Sequence, residues 1–290
     1  MTTTSTGNPH LDRLLKLLDL DRLDNDLFLG DPGSSGGPWK RLFGGLVAAQ
    51  SVVAAYKTLG EGSLHSLHAY FLRPGKHDVP IRYVVYRIRD GRTFTTRDVV
   101  AYQSGEAIFN LSCSFAKPED GISHQTPMPA VPPPSEGLPD WDETRGAEEG
   151  DGREPPPWIK NSPIEIRTIL TNDDEIEAGA PHRQVWMRLK GTLPEDEIHH
   201  AALITFASDR GLLGTVRRAH GIGRRTESAA SLDHAMWFHY PPRWDDWLLY
   251  TSDSPAAHAA RALIFGQIYR RDGTRVASVA QEGLIRPPRG

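Results

Sequence analysis

Ser66-Leu67-His68-Ala69-Tyr70-Phe71-Leu72-Arg73-Pro74 and Ser231-Leu232-Asp233-His234-Ala235-Met236-Trp237-Phe238-His239-Tyr240-Pro241 decide the fold, because they read as one module written twice. His68-Ala69 aligns with His234-Ala235 at an offset of 166. Downstream, Ser104-Gly105 followed by Ile108-Phe109 parallels Asp272-Gly273 followed by Val276-Ala277 at an offset of 168. Upstream of the first segment, residues 43–56 are apolar almost all round, the mark of a buried helix. Strand-like runs follow at 64–72, 80–89, 93–103 and 107–116, separated by the turn sequences Arg73-Pro74-Gly75, Arg89-Asp90-Gly91 and Gln103-Ser104-Gly105. A buried helix followed by an antiparallel meander implies a curved sheet wrapped round that helix.

The second copy follows the same plan. After strand-like runs at 164–170 and 184–190, Pro194-Glu195-Asp196-Glu197 opens an apolar helix from 200 to about 209. An early proline and first-turn acids suit a helix N-terminus. Strands are predicted at 230–239, 247–253, 259–271 and 275–285, with Asp272-Gly273 as a hairpin turn between the last two. The expected class is α+β, with two tandem modules at 1–116 and 161–290. Leu11, Leu14, Leu15 and Leu18 predict a further amphipathic packing helix over 10–19. Residues 117–160 hold ten of the 23 prolines and ten acidic residues, and read as a linker, extended or partly disordered.

Composition narrows the function classes. The chain is 38% hydrophobic and 24% charged with a net charge of −4, as in a soluble globular protein without bulk attraction to nucleic acid. No run approaches the roughly 18 apolar residues of a membrane span. The N-terminus lacks the features of a secretory signal, and Arg286-Pro287-Pro288-Arg289-Gly290 is not a peroxisomal signal of the Ser-Lys-Leu type. Cys113 is the only cysteine, which excludes an intrachain disulfide and a cysteine-rich zinc site. A cytoplasmic location is expected, as is a homo-oligomer, with no membrane or nucleic-acid partner.

Three polar residues stand out against apolar surroundings. Asp209 ends the helix carrying Phe206-Ala207-Ser208, where the helix dipole disfavours a negative charge. It either turns to solvent, bonds a loop amide, or works. Gln281 interrupts the strand Val276-Ala277-Ser278-Val279-Ala280 and shares a face with Val279 and Ala277, opposite Glu282. Ser231 begins a strand, where a turn or cap role is the ordinary explanation. In the repeat alignment Cys113 takes the place of Gln281, so the first module has lost its half of a once-duplicated site.

In their order along the chain, Pro181-His182-Arg183-Gln184-Val185-Trp186, Phe206-Ala207-Ser208-Asp209, His220-Gly221-Ile222-Gly223, Leu232-Asp233-His234-Ala235-Met236-Trp237-Phe238-His239 and Val279-Ala280-Gln281-Glu282-Gly283 resemble the bacterial acyl-CoA thioesterase II family. Phe43-Gly44-Gly45, His68 to Gly75 and Arg89-Asp90-Gly91 match in the first half. The resemblance implies a double hotdog fold and hydrolysis of acyl-CoA, without metal or redox cofactor. It also implies a site of Asp209, Ser231 and Gln281 that positions and activates water. Serine stands at 231 where bacterial members carry threonine, which keeps the donor and acceptor and loses a methyl. A thiol leaves readily with a pKa of roughly 8.5, so no strong general acid is needed. Arg217, Arg218, Arg224 and Arg225 are candidate contacts for the CoA phosphates.

Two other enzyme or binding classes compete. A hotdog hydratase needs a His/Asp pair near a helix start, and no such motif is found; a non-catalytic acyl-CoA binder predicts loss of Asp209 or Gln281, and both are present. Gly33-Ser34-Ser35-Gly36-Gly37 fits the nucleophile-elbow spacing, but Pro32 and Pro38 flank it in a loop and the required strand and helix are missing.

Overall fold

The computed structural model describes residues 5–33, 42–135, 137–141, 161–169, 181–220 and 228–286. The first helix, α1 (Pro9–Leu18), follows from its leucine stripe: Leu11, Leu14 and Leu18 are buried. The Asn8 side chain caps it, accepting from the N–H groups of His10 and Leu11 at 2.9 and 3.1 Å. Helix α2 (Gly44–Tyr56) is buried from Gly45 onward, as a helix apolar on every side must be. Around it run β1 (Asp21–Asp24), β2 (Leu27–Gly30), β3 (Ser63–Phe71), β4 (Ile81–Asp90), β5 (Phe94–Gln103) and β6 (Glu106–Ala116), in the spatial order β1-β2-β4-β5-β6-β3. Strands β1 and β2 were not expected; four residues each are too few for an alternating pattern to register.

The second module repeats this with β7 (Ile164–Ile169), β8 (His182–Leu189), the buried helix α3 (Glu197–Ser208), a short α4 (Gly214–Ala219), β9 (Ser228–Ser231), β10 (Asp233–Phe238), β11 (Leu248–His258), β12 (Arg261–Arg270) and β13 (Arg275–Arg286). Its strands lie in the order β10-β13-β12-β11-β8-β7, with β9 paired to the end of β13. β3 and β10 pair antiparallel, His68 opposite Ala235 and Ala69 opposite His234, so the modules share one 13-stranded sheet. The seam removes what would be two open sheet edges. On the inner face α2 packs against α3. The two run antiparallel: Tyr56 Oη donates to Glu197 Oε1 at 2.8 Å at one end, and Gly45 N–H donates to Asp209 Oδ2 at 2.9 Å at the other. One hydrophobic core draws on both modules. This is the expected α+β double hotdog.

The letter-for-letter echo is corrected by one residue. His68 lies opposite Ala235, and cross-strand partners face the same side, so His68 and His234 face opposite sides. His68 sits on the outer face with its ring edge-on to Trp237, while His234 is buried. Across β3 and β6 the inward neighbours are Leu67 and Cys113. Their counterparts in the second module are His234 and Gln281.

The described part of the 117–160 segment is more than a tether. Met128, Val131 and Leu138 pack on a buried cluster of Ile169, Trp186, Trp247, Leu249 and Tyr269. Trp186 Nε1–H donates to Pro132 O at 2.8 Å, and Gln125 bonds the β12–β13 turn through Gly273 O at 2.8 Å and Arg275 N at 2.9 Å. Residues 136 and 142–160 lie outside the described residues. Among the described residues, no helix is long and apolar enough to cross a membrane.

Candidate active site

The site forms where α3 ends and α2 begins. Asp209 is the C-cap residue of α3, an unfavourable place for a carboxylate in its own helix. The other module supplies the offset. Helix α2 has no side-chain cap of its own, since Phe43 stands at its N-cap, and its early N–H groups need a partner. Asp209 Oδ2 accepts from Gly45 N–H at 2.9 Å. One carboxylate thus caps a helix 164 residues away in sequence and faces the positive end of its dipole. The approach depends on Gly44-Gly45. A Cβ at Gly44 would lie 2.4 Å from Phe71 Cε1 and 3.1 Å from Asp209 Oδ2, and one at Gly45 would lie 2.6 Å from Phe206 O.

From Asp209 a chain of hydrogen bonds runs inward. Ser231 Oγ–H donates to Asp209 Oδ1 at 3.2 Å, and Gln281 Nε2–H donates to Ser231 Oγ at 2.9 Å. Gln281 Oε1 lies 2.6 Å from His234 Nδ1, and His234 Nε2 lies 2.9 Å from Ser208 Oγ. Tyr250 Oη donates to Ser208 O at 2.8 Å, closing the inner end. Asp209 and Ser231 are half-buried, whereas Gln281 and His234 are fully buried. Ser231 ends β9 opposite Gly283, and Leu232 then bridges the modules: its N–H donates to Glu282 O, and its carbonyl accepts from Phe71 N–H, both at 2.9 Å. The three residues named from the resemblance are therefore brought together. His234 and Gly45 were missed as members of the network. Both lay inside quoted segments, but the His-Ala echo aligned letters without saying which side His234 faces.

Of the four candidate arginines, only Arg217 has a described side chain. Arg217 is buried in α4; the side chain of Arg218, and Arg224 and Arg225 entirely, lie outside the described residues. Residues 34–37 of the glycine-serine loop do so as well. Cys113 is buried, and burial pushes its thiol above the usual range, away from the reactive thiolate.

Burial also lowers the pKa of His65, His200 and His234 below the ordinary imidazole value. For His234, Asp209, the Gln281 hydrogen bond and Asp233 pull the other way without overcoming the desolvation. The unfolded chain therefore binds more protons than the folded one near pH 6. The stability held by these neutral rings is fully present above the unfolded value of roughly 6.5 and is lost as pH falls through the folded values. Thermal unfolding followed from about pH 8 to about pH 5 should show a falling Tm below roughly pH 6.5, and an unchanged Tm would contradict neutral burial.

Two family models match the chain: the acyl-CoA thioesterase N-terminal domain over residues 35–116 and acyl-CoA thioesterase over residues 163–284. Acyl-coenzyme A thioesterase 8 of Mus musculus is 38% identical over 292 residues, which cover 93% of this chain and 88% of that protein. The crystal structure of acyl-CoA thioesterase II TesB2 from Mycobacterium marinum superimposes with a TM-score of 0.78 at 38% identity, covering 95% of this chain and 98% of that one. A protein of unknown function with a hot dog fold from Alicyclobacillus acidocaldarius shares the fold, with a TM-score of 0.76 at 21% identity over 96% of this chain and 99% of that one.

Proposed function

Because the chain belongs to the acyl-CoA thioesterase family, we propose that it hydrolyses fatty acyl-CoA to free fatty acid and CoA, by direct attack of a water held by Asp209, Ser231 and Gln281. The observation that carries this reading is the hydrogen-bond chain itself. The Ser231 hydroxyl gives its proton to Asp209 and takes one from Gln281, which leaves one lone pair on Oγ. Asp209, bonded to Gly45 and Ser231, keeps further acceptor positions. A water at the half-buried Asp209–Ser231 edge can donate one hydrogen to each oxygen. Its own lone pair then points away from both, towards an approaching thioester carbonyl.

As the water oxygen bonds to the thioester carbon, Asp209 draws off its proton, and the carbon–sulfur bond breaks to release the CoA thiolate. The proton held by Asp209 returns to the products, which leaves one carboxylic acid and one thiol for each thioester and water consumed. Aromatic rings gather beside the site, apolar company for an acyl chain: Phe71 lies against Gly44, Phe43 meets Phe206 edge-on at 5.0 Å, and Phe71 packs on the buried Phe109 at 5.2 Å. The same reading places the enzyme in a reducing cytoplasm, in keeping with a lone, buried thiol.

Steady-state hydrolysis of a series of acyl-CoA chain lengths, read out as free thiol, tests the reading. A Ser231 series sharpens it. Threonine retains hydroxyl donor and acceptor, so Ser231→Thr should stay within about three-fold of wild type, while Ser231→Ala should lose roughly 10-fold or more in kcat. Equal rates for two folded variants would make Ser231 structural. Absence of thiol release from any acyl-CoA would sink the activity.

A further inference from the structure

We propose that His234 is a positioning residue, whose Nδ1–H holds the Gln281 amide in the one orientation that donates to Ser231. The inference rests on the catalytic reading above. Gln281 is 0% exposed and has nothing in its shape to tell its oxygen from its nitrogen, because the two ends of an amide are nearly isosteric. Turned over, it would present Oε1 to Ser231, accept the hydroxyl proton and compete with Asp209 for it.

The chain of partners decides between the two orientations. Asp209 can only accept while ionised, so Ser231 donates to it at 3.2 Å. Ser231 Oγ is then an acceptor, so Gln281 presents Nε2 to it at 2.9 Å. That leaves Oε1 facing the imidazole at 2.6 Å, which requires the proton on Nδ1. Nε2 of the same ring is then an acceptor, 2.9 Å from Ser208 Oγ, whose one proton also has Thr205 O within reach at 2.8 Å and Met236 Sδ at 3.1 Å. Ser208 is in turn fixed by its place in the last turn of α3 and by Tyr250, which donates to its carbonyl at 2.8 Å. From Asp209 to Nδ1 every donor meets an acceptor in this arrangement, and His234 is the member that leaves Oε1 satisfied. Without it a buried carbonyl oxygen would lack a donor, and the amide would lose its preferred orientation.

The first module supplies an independent contrast. At the equivalent inward positions it carries Leu67 beside Cys113, two apolar groups with no amide to orient. Imidazole and amide occur together in the module that also holds Asp209 and Ser231.

The experiment compares His234→Leu, His234→Asn and His234→Gln with wild type and Gln281→Ala, each confirmed folded by its Tm. Asparagine carries its N–H on the γ carbon, where the imidazole carries Nδ1, and so still reaches Gln281. Glutamine carries it one atom further out, on the Ser208 side. His234→Leu should lower kcat about 10-fold or more with KM within about two-fold, the signature of lost transition-state positioning. His234→Asn should recover most of the loss, and His234→Gln should not. Added to Gln281→Ala, His234→Leu should cause no further loss, because its effect passes through that amide.

Wild-type kcat in His234→Leu beside a slow Gln281→Ala would overturn the positioning role and leave the catalytic reading standing. So would a full additional loss in the double variant. Should His234→Leu not fold, equal kcat in the Asn and Gln variants would overturn the proposal just as well. If Gln281→Ala itself turned over at the wild-type rate, the catalytic reading would fall first, and this proposal with it.

Discussion

Asp209→Ala and Gln281→Ala should each lower kcat by about 10²-fold or more, the scale of lost general-base assistance. On the proposed mechanism the two act on one water through Ser231, so the double variant should be scarcely slower than either single one. Asp209 has a second job, which complicates the alanine. Removing the carboxylate also uncaps α2 by taking away the acceptor of Gly45 N–H, a loss of about 1 kcal/mol. Asp209→Asn separates the roles. An amide oxygen can still accept from Gly45, so stability should stay close to wild type. The amide cannot take a proton from water, so kcat should still fall about 10²-fold. A folded Asp209→Asn enzyme with near-normal kcat would refute the base assignment, whatever the alanine variant did.

Gly45→Ala should damage both stability and turnover, although it alters no side chain of the triad. The new methyl would meet the Phe206 carbonyl at 2.6 Å and the Phe43 ring at 2.5 Å. A ring can rotate away, but a backbone carbonyl held in the last turn of α3 cannot. The strain is therefore relieved by moving α2 off α3, at a cost of about 1–3 kcal/mol. That movement pulls Gly45 N–H from Asp209 and displaces the carboxylate from Ser231. Misplacement of that size costs roughly 10²-fold in rate. Gly44→Ala meets the Phe71 ring at 2.4 Å and the carboxylate itself at 3.1 Å. It should leave the helix pair in place and act mainly on kcat. Tm and kcat measured on both variants check the distinction. A Gly45→Ala protein with unchanged Tm and kcat would mean that the interhelical approach is looser than it stands in the structure.

Sequence alone determined the longer local elements, while the four-residue β1 and β2 escaped it. The leucine stripe of α1, the all-round apolar character of α2 and α3, and the alternation along β4 to β6 and β11 to β13 are periodicities of 3.6 and 2 residues, written within each segment. The resemblance then named Asp209, Ser231 and Gln281 together. Only the tertiary structure decided how they meet. The bond between Asp209 and Gly45 spans 164 residues and leaves no periodic trace. Nor could letters reveal that His68 and His234 face opposite sides, because the side a strand residue faces depends on register, and a one-residue slip reverses it. The seam pairing His68 with Ala235 settles that register. The proline-rich segment read as solvated because its composition is polar, yet Met128, Val131 and Leu138 find an apolar surface assembled from β7, β8, β11, β12 and the loop before β11. Burial of those three belongs to the assembled sheet, since no stretch of chain near them in sequence offers that surface.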